Sequence, residues 1–177
     1  MLLPKRDTSV ITPERFYISR KKASVRRIIN ENEVIHCLEA HGFVSLCLED
    51  WTVAQQIKMF ASAKAIVGQH GAGMSNLAFC TPGTRVIEIF HIHHVVPTYW
   101  MISNHNDLNY YMLYGQMPES TSVNFPGLED YFVDTAFRAN PSLSRVELGW
   151  CISLAKASGV QWLGALLRIS KDGTLDG

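Results

Sequence analysis

No run of apolar residues in this 177-residue chain approaches the roughly 20 needed to cross a bilayer. Nor does a long apolar stretch follow the basic residues near the N-terminus, so neither a membrane span nor an export signal is expected. Cysteine is scarce. Cys37, Cys47, Cys80 and Cys151 make no C-x-x-C pair, which leaves neither a zinc ribbon nor a dithiol redox motif indicated and favours a reducing compartment. Internal repeats and low-complexity segments are missing too. Net charge is zero, which removes the broad positive field of a non-specific nucleic-acid binder.

What is present is an ordinary globular composition, 47% hydrophobic and 18% charged, in a chain long enough to bury one core. The charge is unevenly placed. Residues 1–30 hold eight Lys/Arg against two Asp/Glu, and the remainder holds eight against fourteen. A basic block of this kind can steer a phosphate-bearing ligand.

Residues 1–14, with Pro4, Pro13 and several charges, read as an irregular lead-in. The run 15–19 suits a short strand, and a basic loop over 20–27 follows it. Asn30 with Glu33 makes a capping signature for a helix that Gly42 ends, and 43–48 is a strand candidate. Thr52 with Gln55 makes a second capping box. Residues 65–67 form a short buried strand running into Gly68-Gln69-His70-Gly71-Ala72-Gly73, and 74–79 continue as a helix. A strand over 85–90, a helix over 98–103 and a strand over 108–114 complete the alternation. Such alternation predicts an α/β fold, a mostly parallel sheet with helices on both faces. Beyond Gly115 the pattern weakens at Pro118, Pro126 and Pro141, and residues 146–169 read as helical.

The glycine segment carries the functional inference. In open α/β sheets ligands sit beyond the carboxyl ends of the strands, where helix N-termini present free amides. Three glycines in six residues let the backbone approach a diphosphate closely, and His70 adds a donor. Two better-known phosphate loops fail here. Gly68 and Gly73 have the glycine spacing of a Walker A loop, but Met74 stands where that loop requires lysine. Gly71-x-Gly73-x-x-Asn76 imitates the dinucleotide fingerprint, but its third glycine is absent and the motif follows a middle strand.

Four blocks in order make the sequence resemble glycosyltransferase family 61: Tyr17-Ile18-Ser19-Arg20; Asn30-Glu31-x-Glu33; Gln69-His70-Gly71-Ala72-Gly73-Met74-Ser75-Asn76-Leu77; and Pro82-Gly83-Thr84-x-Val86-Ile87-Glu88. The resemblance runs from about Arg15 to Gly115. It implies a GT-B architecture of two Rossmann-like domains and inverting transfer from a nucleotide sugar, with no obligatory metal and no cofactor. The chain matches the C-terminal, donor-binding portion. Residues 15–140 are then the nucleotide-sugar-binding domain, and 141–177 a divergent tail that departs from the expected family ending.

Donor-binding candidates are Ser19, Arg20, His70, Gly71, Ala72, Gly73 and Glu88. Arg20 would hold phosphate oxygens through paired N–H donors, with Lys21 and Arg26 as outer contributors. Without the resemblance the basic loop reads as a solvated face. His70 is the catalytic candidate within the chain, set against a histidine that merely caps the helix. Asn76 reads as a tie between loop and helix. Glu88, a carboxylate in an apolar strand, requires a partner: a ribose hydroxyl, or Arg85 or a basic-loop residue. Glu49 and Asp50 read more simply as helix-start acids than as nucleotide contacts. His91-x-His93-His94 lacks metal-ligand spacing, so no metal is expected. Tyr99, Trp100, Tyr110 and Tyr111 suit a core better than a stacking platform.

The expected activity is sugar transfer from a nucleotide-diphosphate donor, uridine-linked by family leaning, to a carbohydrate or glycoconjugate acceptor. The deprotonating base is expected outside this chain, on an N-terminal acceptor domain that the chain lacks. A non-catalytic nucleotide-binding module or truncated remnant is the alternative. No nucleic-acid partner is expected, and the location is expected to be cytoplasmic or membrane-peripheral.

Overall fold

The computed structural model describes residues 10–116, 128–133 and 135, together with the backbone of 167–169 and 175–176. Its centre is a parallel sheet of β1 (Arg15–Ile18), β2 (Val44–Leu46), β3 (Ala65–Gln69), β4 (Arg85–His91) and β5 (Asn109–Gly115). The spatial order is β2-β1-β3-β4-β5. β3 is buried along its whole length, as a central strand covered on both faces must be. The fold is thus α/β and Rossmann-like.

Alternation along the strands sorts the core into two layers. Tyr17, Val67, Ile87, Ile89, Tyr111 and Leu113 meet Val34, Cys37 and Leu38 of α1 (Glu31–Glu39) on one face. On the other, Phe16, Ile18, Ile66, Val86, Phe90, Tyr110 and Met112 pack with Met59 and Phe60 of α2 (Val53–Ser62) and Tyr99 of α3 (Thr98–His105). Each such large apolar side chain, fully buried, is worth about 1.5–3 kcal/mol. Burial also pushes the Cys80 thiol up to about 12, consistent with an inert core cysteine.

The two capping boxes part company. At α2, Thr52 Oγ1 accepts from the Gln55 amide at 3.3 Å and Gln55 Oε1 accepts from the Thr52 amide at 3.0 Å. At α1, Asn30 makes no side-chain cap. Its Nδ2 donates to Glu33 Oε2 at 3.1 Å and to Val133 O at 2.8 Å, while its Oδ1 accepts from Val133 N, 103 residues away, at 3.0 Å and not from a helix amide. Gly42, at φ +77°, does end the α1 segment.

Three boundaries differ in ways that matter. β3 continues through Gly68 and Gln69, because Gly68 takes its register between Ile18 and Glu88. Only His70 onward is loop. The helix after it is a 3-10 helix, Ala72–Phe79, not an α-helix. Finally, β6 (Leu167–Ile169) pairs antiparallel with β5, and β7 (Leu175–Asp176) pairs antiparallel with β6. The helical reading of 146–169 therefore fails at its last three residues, where Leu-Arg-Ile alternates with the period of a strand and meets the open edge of β5. Residues 146–166 lie outside the described residues. Two strands from the stretch read as a tail thus join the main sheet. Among the described residues no helix is long and apolar enough to cross a membrane.

Candidate functional site

The strand order 2-1-3-4-5 reverses direction between β1 and β3, and ligands of open α/β sheets gather outside the carboxyl ends of the strands at such a switch point. Ser19 and Arg20 leave β1 there, and His70 and Gly71 leave β3 beside them.

The three glycines have different tasks. A Cβ on Gly68 would lie 2.8 Å from Met74 Sδ, and one on Gly73 would lie 2.8 Å from Leu48 Cδ1, so both are small for internal packing. Gly71 differs. Its Cβ would fall 1.9 Å from Arg20 Nη1, so the guanidinium occupies the space that a side chain would take. Because Gly71 is extended (φ 167°), the requirement is steric and not conformational. Arg20 and the His70 turn are thereby brought together on one side of the sheet. The Arg20 Nε is buried with no hydrogen-bond partner among the described residues.

His70 is fixed by a neighbour the sequence did not pair with it. Its Nδ1 lies 2.6 Å from Glu88 Oε1 in a side chain that is 12% exposed. A carboxylate at that distance holds the proton on Nδ1 and leaves Nε2 as the outward-facing nitrogen. The ring stacks on Phe90 at 5.3 Å and borders His94 at 5.3 Å and Tyr99 at 5.1 Å. Glu88 itself is 0% exposed, and its other oxygen accepts a short hydrogen bond from the Tyr110 hydroxyl. Burial and the facing Glu88 push the Tyr110 hydroxyl well above its ordinary pKa, so it remains a donor.

The expected roles of two residues change accordingly. Glu88 was expected against a ribose, or paired with Arg85 or the basic loop. It instead lies sealed between His70 and Tyr110, which makes it a positioning residue for the histidine. Ser19 is buried, gives its one proton to Glu31 Oε1 at 2.8 Å and accepts from Lys21 N at 3.2 Å. It has no donor left for a phosphate oxygen.

Glu31 is the residue that sequence reasoning passed over, quoted only as part of a family block. From the first turn of α1 its Oε1 also accepts from the Tyr17 hydroxyl at 2.9 Å, and that hydroxyl accepts from Gln69 Nε2 at 3.0 Å. The signal available was an acid at a helix start following a basic loop.

Other candidates fall into structural roles. Asn76 Nδ2 donates to Gln56 Oε1 at 2.9 Å and Gly73 O at 3.2 Å, tying the turn to α2. Asp50 pairs with Lys22 at the exposed surface. His91 Nδ1 accepts from His93 N at 3.1 Å, and its Nε2 lies 3.2 Å from Glu129 Oε2 at ion-pair distance without hydrogen-bond alignment. Burial lowers the pKa of both His91 and His94, and Arg26 lowers it further. Tyr99 and Tyr110 belong to one core layer and Tyr111 to the other, with Trp100 packed at the margin.

A Rossmann-like parallel sheet with an arginine and a histidine side by side at its switch point places the chain in the α/β class. Residues 1–87 match the family model described as Glycosyltransferase 61. The match stops before Glu88, short of Gly115, to which the resemblance read from the sequence extended. The chain is 27% identical over 109 residues to the β-1,2-xylosyltransferase RCN11 of Oryza sativa subsp. japonica, covering 57% of this chain and 19% of that protein. It is 28% identical over 101 residues to a β-1,2-xylosyltransferase of Arabidopsis thaliana, covering 50% and 19%. It is 31% identical over 124 residues to the protein O-linked-mannose β-1,4-N-acetylglucosaminyltransferase 2 of Homo sapiens, covering 64% and 21%. The chain spans about a fifth of the length of these relatives.

Proposed function

We propose that this chain supplies the donor-binding half of an inverting GT-B-type glycosyltransferase. The donor is a nucleotide-diphosphate sugar, uridine-linked by family leaning, and the acceptor is a carbohydrate or glycoconjugate. The observation that carries the reading is the Arg20 guanidinium seated against Gly71, one residue from a histidine held by a buried carboxylate. In this reading Arg20, His70 and the helix-opening amides of Gly71, Ala72 and Gly73 stabilise negative charge as it accumulates on the leaving diphosphate. Those fixed charges take the place a metal would fill. The acceptor and the base that deprotonates it belong to a second domain.

Calorimetric titration with UDP and UDP-sugars, followed by a hydrolysis assay on the same sample, tests this. Binding with slow turnover supports a donor half, and binding without any turnover supports a nucleotide-binding module instead. A folded sample that binds no UDP would remove both.

A further inference from the structure

The basic segment after β1 divides into paired and unpaired charges. Lys22 pairs with Asp50 and Arg27 with Asp130, both at the surface. Arg20 and Arg26 are half-buried, and neither makes an ion pair among the described residues. Each has its Nε enclosed with no acceptor among the described residues. The two cations are close enough to act on each other, and burial together with Arg20 holds the Arg26 guanidinium below its ordinary pKa. Two half-buried cations close enough to repel, with no ion-pair partner among the described residues, are unfavourable on their own and favourable around an anion.

The backbone at Arg26 points the same way. It sits at φ +55°, in the left-handed region that arginine rarely adopts. The strain is held by a strap. Arg26 N donates to Leu128 O at 3.1 Å, and Arg27 N and Nη2 donate to Asp130 at 2.8 and 2.6 Å. Tyr131 N donates to Arg27 O at 3.0 Å and Ile29 N to Tyr131 O at 2.8 Å. Glycine would meet that backbone without strain. A bulky cation forced into it, over-determined by its surroundings, indicates that the side chain's placement matters. That placement is toward the site: Arg26 acts electrostatically on Arg20, Tyr99, His91 and His94, and His94 in turn borders His70.

We propose that Arg26 is the second arm of a two-arginine clamp, in which Arg20 and Arg26 each hold one phosphate of a diphosphate group. The clamp rests on the donor-site reading for the identity of its ligand, but its chemistry requires only two linked phosphates. Two planar forks select for an anion with two phosphoryl groups over one, because orthophosphate can engage a single fork fully. The backbone strain places the second fork in advance, so that less freedom is lost on binding.

The test is calorimetric titration of the full chain with inorganic pyrophosphate, orthophosphate and UDP, for the parent protein, Arg26→Gly and Arg26→Lys. The parent is expected to bind pyrophosphate at least ten-fold more tightly than orthophosphate. Arg26→Gly closes most of that gap while its Tm stays level or rises, since glycine relieves the left-handed strain. Arg26→Lys, which keeps the charge and loses the fork, lies between. A gap that survives both substitutions overturns the clamp, as does a parent that does not discriminate between the anions. Should Arg26→Gly fail to fold, Arg26→Lys decides by the same criterion. If UDP binds no better than pyrophosphate while the gap still closes on substitution, the clamp stands and the nucleotide reading falls.

Discussion

Two carboxylates lie at the carboxyl edge of the sheet, one on each face, and they are used differently. Glu31 comes from a helix start and gathers two hydroxyls, those of Tyr17 and Ser19. Burial and Glu31 push the Tyr17 hydroxyl well above its ordinary range, so it remains a donor to Glu31. Glu88 comes from the middle of a strand and holds a hydroxyl on one oxygen and an imidazole on the other. With Nδ1 engaged by Glu88, the imidazole keeps its second nitrogen for a ligand. The same side-chain chemistry thus locks one side of the switch point and arms the other.

Removing Glu88 should expose that difference most sharply. Glu88→Ala leaves the His70 Nδ1–H and the Tyr110 hydroxyl buried without an acceptor and should destabilise the fold by about 3–5 kcal/mol, read by urea denaturation. Glu31→Ala, beside more accessible surface, should cost only about 1–3 kcal/mol. Equal losses would end the contrast. Next in size, His70→Ala should weaken UDP binding by about 10- to 100-fold, the worth of one charge-assisted hydrogen bond, in calorimetric titration. Tyr17→Phe, on the opposite face, should leave UDP affinity within about two-fold while lowering stability by about 1 kcal/mol. Gly71→Ala sharpens the comparison further. Its backbone accepts alanine, so Tm should hold while the displaced Arg20 guanidinium lowers UDP affinity by about ten-fold.

The smallest effect is a pH dependence. His91 and His94 have folded pKa values depressed below the ordinary ~6.5, chiefly by burial. Protonation therefore favours the unfolded chain. The stability these neutral rings contribute is present above about pH 6.5 and lost as pH falls through their lower folded values. Tm measured from pH 7.5 to 5 should decline, and His91→Gln should flatten the decline. A profile unaltered by that substitution would remove His91 from the account.

Much of the fold was legible because its causes are local. The Thr52–Gln55 box, the apolar strands at 65–67 and 85–90 and the turn at Gly42 each depend on residues a few positions apart. The mistaken elements failed where distant residues intervened. Asn30 stands at the start of α1 but gives its side-chain oxygen to Val133, Gly68 entered a strand because Ile18 and Glu88 flank it, and Leu167–Ile169 found the edge of β5. Within the site, the family blocks and the glycine spacing located Arg20, His70 and Gly71. They could not assign Glu88 to His70, Ser19 to Glu31, or Arg26 to the neighbourhood of Arg20, since these pairings cross between elements and leave no periodic trace.

From the order of residues alone came the α/β alternation, the glycine turn at a strand's end and the basic segment, each produced by backbone propensity and the period of apolar side chains. Which charges face inward was left to the packed structure. A guanidinium is paired, solvated or buried only once strands from separate parts of the chain have been brought side by side.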